Sequence, residues 1–420
     1  MAAYDCVLQK ALTLDRKGIF LGLNATQNAL KVLHDPQKKF PSVLIAGTNG
    51  KGSTVAMLSF ILKEAGYRVG TFISPHLLDI RERIQFDGKM VSKRDFLHAY
   101  EKIETTLQQN NLSLSFFEFM TVMFVWLCAI KKVDIAVVEV GLGGRLDATN
   151  VLDPLISIIT TIGFDHKRFL GKTLKAIATE KAGIMRKHVP VILGVTQPHI
   201  KKHLKLLTKK KGTKSYFLGE DFFISREKKR FHFVSQNRKW SNVEISLLGQ
   251  YQKGNVACVL QAIQLLQVAK WNISETALRN GLKKTRWPGR LEIVQNKPRV
   301  ILDGAHNLPA MKALIASLKN DFSYHRLHIV FGVMADKDYR PMMERLLEIS
   351  DSFHFVVPEV KRALTQEKLL KTFPEISKKI HVYAEVASTL PEVMKTSEPD
   401  DLICVTGSLY TVAEAKRLFV

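Results

Sequence analysis

Residues 47–54 read GTNGKGST, directly after the apolar run 43–46 and directly before a helix-like segment, 55–65. A strand that turns on glycines into a helix start aims several backbone N–H groups at one point, and Lys51 adds a positive charge there. A polyphosphate suits such a point, so the corner predicts a nucleotide site on an α/β sheet. The standard phosphate loop has glycine where this chain has Ile45, and a hydroxyl directly after the lysine, where it has Gly52. Its physical parts survive in variant form. Gly47, Gly50 and Gly52 permit positive φ and close backbone approach, and Ser53 or Thr54 can reach a Mg²⁺ ion. The plainer reading is a glycine turn that only closes a strand-to-helix corner.

A chain of 420 residues is long enough for two or three domains, each with a full core. The longest apolar stretch, 119–130, falls well short of the roughly twenty residues that span a bilayer, so no membrane span is expected. The start, MAAYDCVLQKALTLDRKG, lacks the basic, apolar, small-residue order of a secretory signal, and the expected compartment is the cytoplasm. Cys6, Cys128, Cys258 and Cys404 lie far apart with no paired spacing, which argues for reduced thiols over a disulfide framework or a Zn site.

The formal net charge is +23, large enough to raise nucleic acid as a partner. Between Lys201 and Lys239 there are 13 Lys or Arg against 3 acids. Helical spacing in KKHLKLLTKKKGTK, however, puts Leu204 and Leu207 on one face and lysines on the other, the pattern of a solvated surface helix. Attraction of small polyanions is the next reading. No RNA or DNA motif accompanies the charge, so nucleic acid is not expected.

Nearly all-apolar strands at 43–46, 68–73, 135–140, 156–161 and 189–194 alternate with helix-like segments, the signature of a parallel sheet buried on both faces. From 222 to 248 short alternating runs suggest a small antiparallel appendage, followed by helices at 252–269 and 274–283. Pro288 and Gly289 then punctuate the chain, and a fresh α/β series follows with strands at 300–303, 327–332, 352–357 and 401–407. The predicted fold is α/β, a P-loop-type, mostly parallel N-terminal domain over 1–286 and a smaller Rossmann-like C-terminal domain over 287–420.

Three further clusters fall at strand ends. Ser74 and His76 follow the second strand, on the sheet edge where α/β ligands bind. Glu139 ends a strand ahead of GLGGRLDATN, where an acid can hold Mg²⁺; Asp165 and His166 follow the next strand. Singly, Ser74 also reads as a turn hydroxyl and Glu139 as a structural ion pair. Lys181, beside Glu180, reads from the residues alone as an ordinary surface ion pair.

The ordered motifs GIFLGL from Gly18, GTNGKGST, SPHL, ERI, FFEF, EVGLGGRLDATN, DH followed by LG, EKAGI, WPGRLE, DGAHN and TGSLYTVAEA resemble the folylpolyglutamate synthase and dihydrofolate synthase family of the Mur ligase superfamily. The resemblance implies an ATP-dependent amide ligase, of the bacterial bifunctional type, that adds L-glutamate to dihydropteroate or reduced folates. It further implies that Gly47, Thr48, Asn49, Gly50, Lys51, Gly52 and Ser53 cradle ATP phosphates. Ser53, Ser74, Glu139 and His166 match Mg²⁺ ligands, and Lys181 matches a lysine that CO₂ carbamylates into a further ligand; K⁺ is allowed as another cation. Lys51, Glu139, His166 and Lys181 would carry catalysis. Gln252, Asn255, Arg290, Asp303 and His306 match nucleotide contacts, with the last three closing over ATP. Arg83 and Phe117 match the substrate site, Phe117 near the pterin. A monomer acting on small molecules is expected. The chain departs from the family pattern after DH, where Lys167 and Arg168 add charge. Rival readings are a Mur ligase for another carboxylate, a nucleic-acid-stimulated P-loop NTPase, and a non-catalytic binding module.

Overall fold

The structure is a computed structural model that describes Tyr4 and residues 7–10, 21–228, 230–378, 380–383 and 385–420. Cys6 and the first three residues of GIFLGL lie outside the described residues. The chain divides into two compact units, Met1–Ser246 with Lys253–Thr285, and Leu247–Gln252 with Arg286–Val420.

The first unit is built on an eight-stranded sheet: β1 (Ser42–Ala46), β2 (Val69–Phe72), β3 (Ile84–Phe86), β4 (Lys89–Met90), β5 (Ile135–Glu139), β6 (Pro154–Ile159), β7 (Val191–Leu193) and β8 (Ser215–Phe217). Their order is β4-β3-β2-β5-β1-β6-β7-β8, parallel except at the β2–β3–β4 edge. The central strands are buried along their whole length because helices cover both faces, which is why they read as nearly all apolar. One such cover is the helix Phe116–Ile130, whose Phe124 ring lies 5.1 Å from that of Phe72. This helix contains the apolar stretch 119–130, and no helix among the described residues is long and apolar enough to cross a membrane.

Register decides what meets at the carboxyl edge. Ile45 of β1 pairs with Glu139 of β5, Ala46 pairs with Ile159 of β6, and Phe72 of β2 pairs with Val138. The next residues along each strand, Gly47, Thr160 and Ile73–Ser74, therefore leave the sheet level with the Glu139 side chain.

The antiparallel appendage is β9 (Phe222–Glu227), β10 (Arg230–Ser235) and β11 (Arg238–Glu244). Phe222, Phe233 and Trp240 alternate onto its buried side, the period expected of a one-sided sheet. The helix Pro198–Lys211 buries Ile200 and Leu204, while its lysines 202, 205, 209, 210 and 211 are exposed, as the sequence spacing implies. Cys128, Cys258 and Cys404 are free and buried.

The second unit has six strands, β12 (Glu292–Asn296), β13 (Arg299–Leu302), β14 (Leu327–Phe331), β15 (Ser352–Phe355), β16 (His381–Val382) and β17 (Leu402–Thr406). Their order is β12-β13-β17-β14-β15-β16, all parallel except the edge strand β12.

Candidate active site

The phosphate-type corner is tighter than the sequence suggests, because the helix begins at Lys51 and runs to Glu64. Only Gly47 (φ 152°) and Gly50 (φ 86°) use left-handed backbone; Gly52 sits in the first helical turn. A Cβ at Gly50 would lie 2.1 Å from the Asn255 carboxamide oxygen, so the turn is pressed against the helix Gln252–Val268. The corner is pinned from β6 as well. Thr48 N–H donates to the Thr161 carbonyl at 2.9 Å, its hydroxyl exchanges bonds with Gly163, and the Thr160 hydroxyl donates to the Asn49 carbonyl at 2.7 Å. With the first helical N–H groups lacking intrahelical partners, this rigid corner fits a phosphate.

Replacing Gly50 by Ala places a Cβ in left-handed backbone, roughly 1–2 kcal/mol unfavourable, and pushes on Asn255. We expect a lower Tm and a weaker ATP affinity by calorimetry, with Gly66→Ala, left-handed but open around its Cβ, as the strain-only control.

Lys51 Nζ lies 3.8 Å from Glu139 Oε1, and the other Glu139 oxygen accepts Ser74 N–H at 3.3 Å. Glu139 is buried, so one carboxylate at the end of β5 links the corner to the loop after β2. The Thr54 hydroxyl is committed to the Gly50 carbonyl at 2.9 Å, which leaves Ser53 as the candidate hydroxyl ligand. Among the described residues no three His, Cys, Asp or Glu side chains form a ready-made metal cluster. A hard cation here fits the pattern of one carboxylate, hydroxyls and the substrate's own phosphates.

Lys181 is not a surface ion pair. It is buried, and its Nζ donates to the Gly47 carbonyl at 2.9 Å. Burial, and after it the nearby Lys51 charge, push its pKa down to about 7, with Asp165 opposing. Glu180 turns away and pairs with Arg145 at 2.9 Å. The helix Leu174–Ala182 and the GLGGR loop interlock here: a Cβ at Gly183 would meet the Arg145 Cα at 2.3 Å. Asp147 and Asn150 serve the same joint. Asp147 accepts from Leu142 N–H and Thr149, and Asn150 donates to the Arg145 and Gly183 carbonyls.

His166 begins the short helix Lys167–Leu170 with a left-handed φ of 48°, and its N–H donates to the Asp165 carboxylate at 2.9 Å. Its place at the rim follows from Gly163, bonded to Thr48 three residues earlier. Arg83 is buried, stacks over Phe116 at 5.0 Å and donates from Nε to His76 Nδ1 at 2.9 Å. Burial first, and the Arg83 charge second, lower the His76 pKa to about 4, so this imidazole is neutral at pH 7. The Phe117 ring lies against Gly141, 2.4 Å from where a Cβ would sit.

Within the second unit, Asp303 is buried and its oxygens accept Leu291 N–H, Ala305 N–H and the Tyr251 hydroxyl. It thus ties down the loop that carries Arg290. His306 Nδ1 bonds the Gly304 carbonyl at 2.9 Å. Gln252, fully buried, closes the Leu247–Gln252 segment of this unit. Thr160, Thr161 and Tyr251 were not singled out from sequence; the hydroxyl pair directly after an apolar strand was the available signal.

Residues 45–263 match the Mur ligase middle domain and residues 289–409 match the Mur ligase glutamate ligase domain. The chain is therefore a Mur-type ligase. It is 34% identical over 412 residues to the dihydrofolate synthase/folylpolyglutamate synthase of Bacillus subtilis, covering 95% of each chain. Among solved structures it resembles Escherichia coli FolC in complex with DHPP and ADP, with TM-score 0.90 and 31% identity over 98% of this chain and 97% of that one. It also resembles the bifunctional Yersinia pestis enzyme complexed with AMPPNP and Mn ion, with TM-score 0.88 and 29% identity over 99% and 97%. The chain belongs to the dihydrofolate synthase/folylpolyglutamate synthase family.

Proposed function

We infer that this chain is an ATP-dependent ligase that joins L-glutamate by an amide bond to dihydropteroate, to the glutamate tail of reduced folates, or to both. The observation that supports this most is the meeting of the glycine corner, Lys51, Glu139 and buried Lys181 at one sheet edge.

A carboxylate is a poor acyl donor. Phosphoryl transfer from ATP makes it an acyl phosphate, and the α-amine of glutamate then attacks the carbonyl, giving amide, ADP and phosphate. Catalysis is mainly positioning and charge neutralisation. Corner N–H groups and Lys51 hold phosphate oxygens, and Glu139 keeps Lys51 and the Ser74 loop in place. Ser53, Ser74, Glu139 and His166 are proposed to hold a divalent ion, taken to be Mg²⁺, which when bound offsets phosphate charge; K⁺ is allowed as a further cation. Lys181 is proposed to be carbamylated: an amine whose pKa is about 7 has a large neutral fraction at neutral pH, and its nitrogen adds to CO₂ with loss of one proton. Asn255 and Gln252, with Arg290, Asp303 and His306, are proposed nucleotide contacts, and Arg83 and Phe117 substrate contacts. A cytoplasmic monomer without a nucleic-acid partner completes the proposal; the solvated, one-sided helix Pro198–Lys211, with its lysines, bears only on the nucleic-acid part.

ADP release, measured with ATP, Mg²⁺ and glutamate, should rise with dihydropteroate or tetrahydrofolate and match amide formed. ADP release indifferent to glutamate and to both acceptors would overturn the reading.

A further inference from the structure

The rim segment after Gly163 carries an unbalanced positive charge. Phe164, Lys167, Arg168 and Phe169 are all exposed, with Phe164 at 42% and Phe169 at 37%. Lys167 Nζ stands 4.9 Å over the Phe164 ring and the Arg168 guanidinium 5.8 Å over that of Phe169. Neither cation forms an ion pair with an acid among the described residues. Two acids of this edge have other partners: Asp165 holds His166 N–H and acts on Lys181, and Glu180 is tied to Arg145. The segment is also fixed in place. Gly163 is bonded to Thr48 of the corner, and Leu170, at the other end, packs against Gly143, 2.8 Å from where a Cβ would sit. Two cations, each leaning on an aromatic face, are thus held at the edge of the phosphate site with no counter-charge of their own.

We propose that Lys167 and Arg168 dock the anionic glutamate tail of the acceptor and make the site prefer acceptors that already carry one. The proposal rests on the ligase reading above. In each cycle the reacting carboxylate must reach the phosphate held at the corner, whatever the length of tail behind it. Carboxylates one or two residues back then lie on the rim, where two unpaired cations attract them. An acceptor without those carboxylates gains nothing from the strip.

The test compares tetrahydrofolate bearing one and three glutamates, in the unaltered chain, in Lys167→Gln/Arg168→Gln and in Lys167→Glu/Arg168→Glu. Two exposed ion pairs correspond to about a tenfold preference. We expect the ratio of kcat/KM, triglutamate over monoglutamate, to fall about tenfold in the neutral variant and further in the reversed one. The change should lie in KM, and the preference of the unaltered chain should fade as salt shortens the screening length. A ratio unmoved by both variants and by salt would mean that the cations are only solvated charge, and overturns the proposal. If the unaltered chain glutamylates neither of these acceptors nor dihydropteroate, the ligase reading fails instead; glutamylation of dihydropteroate alone leaves no tail to dock and overturns the proposal while the ligase reading stands.

Discussion

Lys181→Ala is expected to lower turnover by about 10²–10³-fold, and short carboxylates such as acetate to restore part of it. The Lys181 nitrogen is buried against the Gly47 carbonyl, and its pKa of about 7 reflects burial first and the Lys51 charge second. A protonated amine there adds to the positive charge of Lys51, whereas a carbamate supplies a carboxylate that can balance it and ligate a cation. Truncation to Ala opens room for a small acid to take the carbamate's place. Rescue by acetate but not by methylamine supports the carbamate; the reverse pattern would falsify it. The unaltered chain should likewise lose activity in CO₂-free buffer and regain it with bicarbonate.

In CO₂-free buffer, where it is a free amine, the same lysine gives a pH signature in stability. Its folded pKa, about 7, lies below the unfolded value of roughly 10.4, so between these the unfolded chain binds the proton and the folded chain does not. Stability therefore rises with pH across that window. Below it both states are protonated and the full cost of burying the charge is present; above it both are neutral and the cost is gone. Lys181→Met, which keeps the apolar stem, should be more stable than the unaltered chain at pH 7 and show a flatter profile from pH 7 to 10 in urea unfolding. A higher melting point paired with lost activity would mark a residue retained for chemistry at the expense of stability.

The buried parallel strands were legible because a strand covered on both faces is nearly all apolar, and β1, β2, β5 and β6 carry that mark. The edge strands β4, β12 and β16, and β3 beside β4, carry no such mark; β4 and β16 are two residues each, too short for a period to show. The helix starts four residues before the sequence suggests, since Gly52, Ser53 and Thr54 look like loop, whereas Gly47 and Gly50 alone take the left-handed backbone of the turn. Glu139 could be placed from its position at a strand end. Lys181 could not, because its environment depends on Gly47, 134 residues away, and on a helix pressed against the GLGGR loop. The sequence shows the neighbour Glu180 and suggests a pair that the fold does not make. Motif resemblance supplied what local chemistry could not.

The pair formed by Lys51 and Glu139 allows a sharper separation of roles. Both are largely shielded, at 18% and 7% side-chain exposure, and 3.8 Å apart, so removing either leaves the other poorly compensated. Glu139→Gln preserves an oxygen for Ser74 N–H and so the loop, but removes the charge that faces Lys51 and the proposed divalent ion. Lys51→Met preserves the stem and removes the charge over the phosphates. Each is expected to cut turnover by about 10²–10³-fold. They should differ in binding: Lys51→Met weakens ATP even without added metal, while Glu139→Gln weakens it only when Mg²⁺ is present. Because both act on one charge balance, the double variant should lose far less than the product of the single losses. Calorimetric titration of ATP with and without Mg²⁺, alongside steady-state rates, reads both effects. Near-normal turnover in Glu139→Gln would remove the carboxylate from the chemistry and leave it only the task of seating Ser74, whereas full additivity would mean that the two side chains serve separate steps.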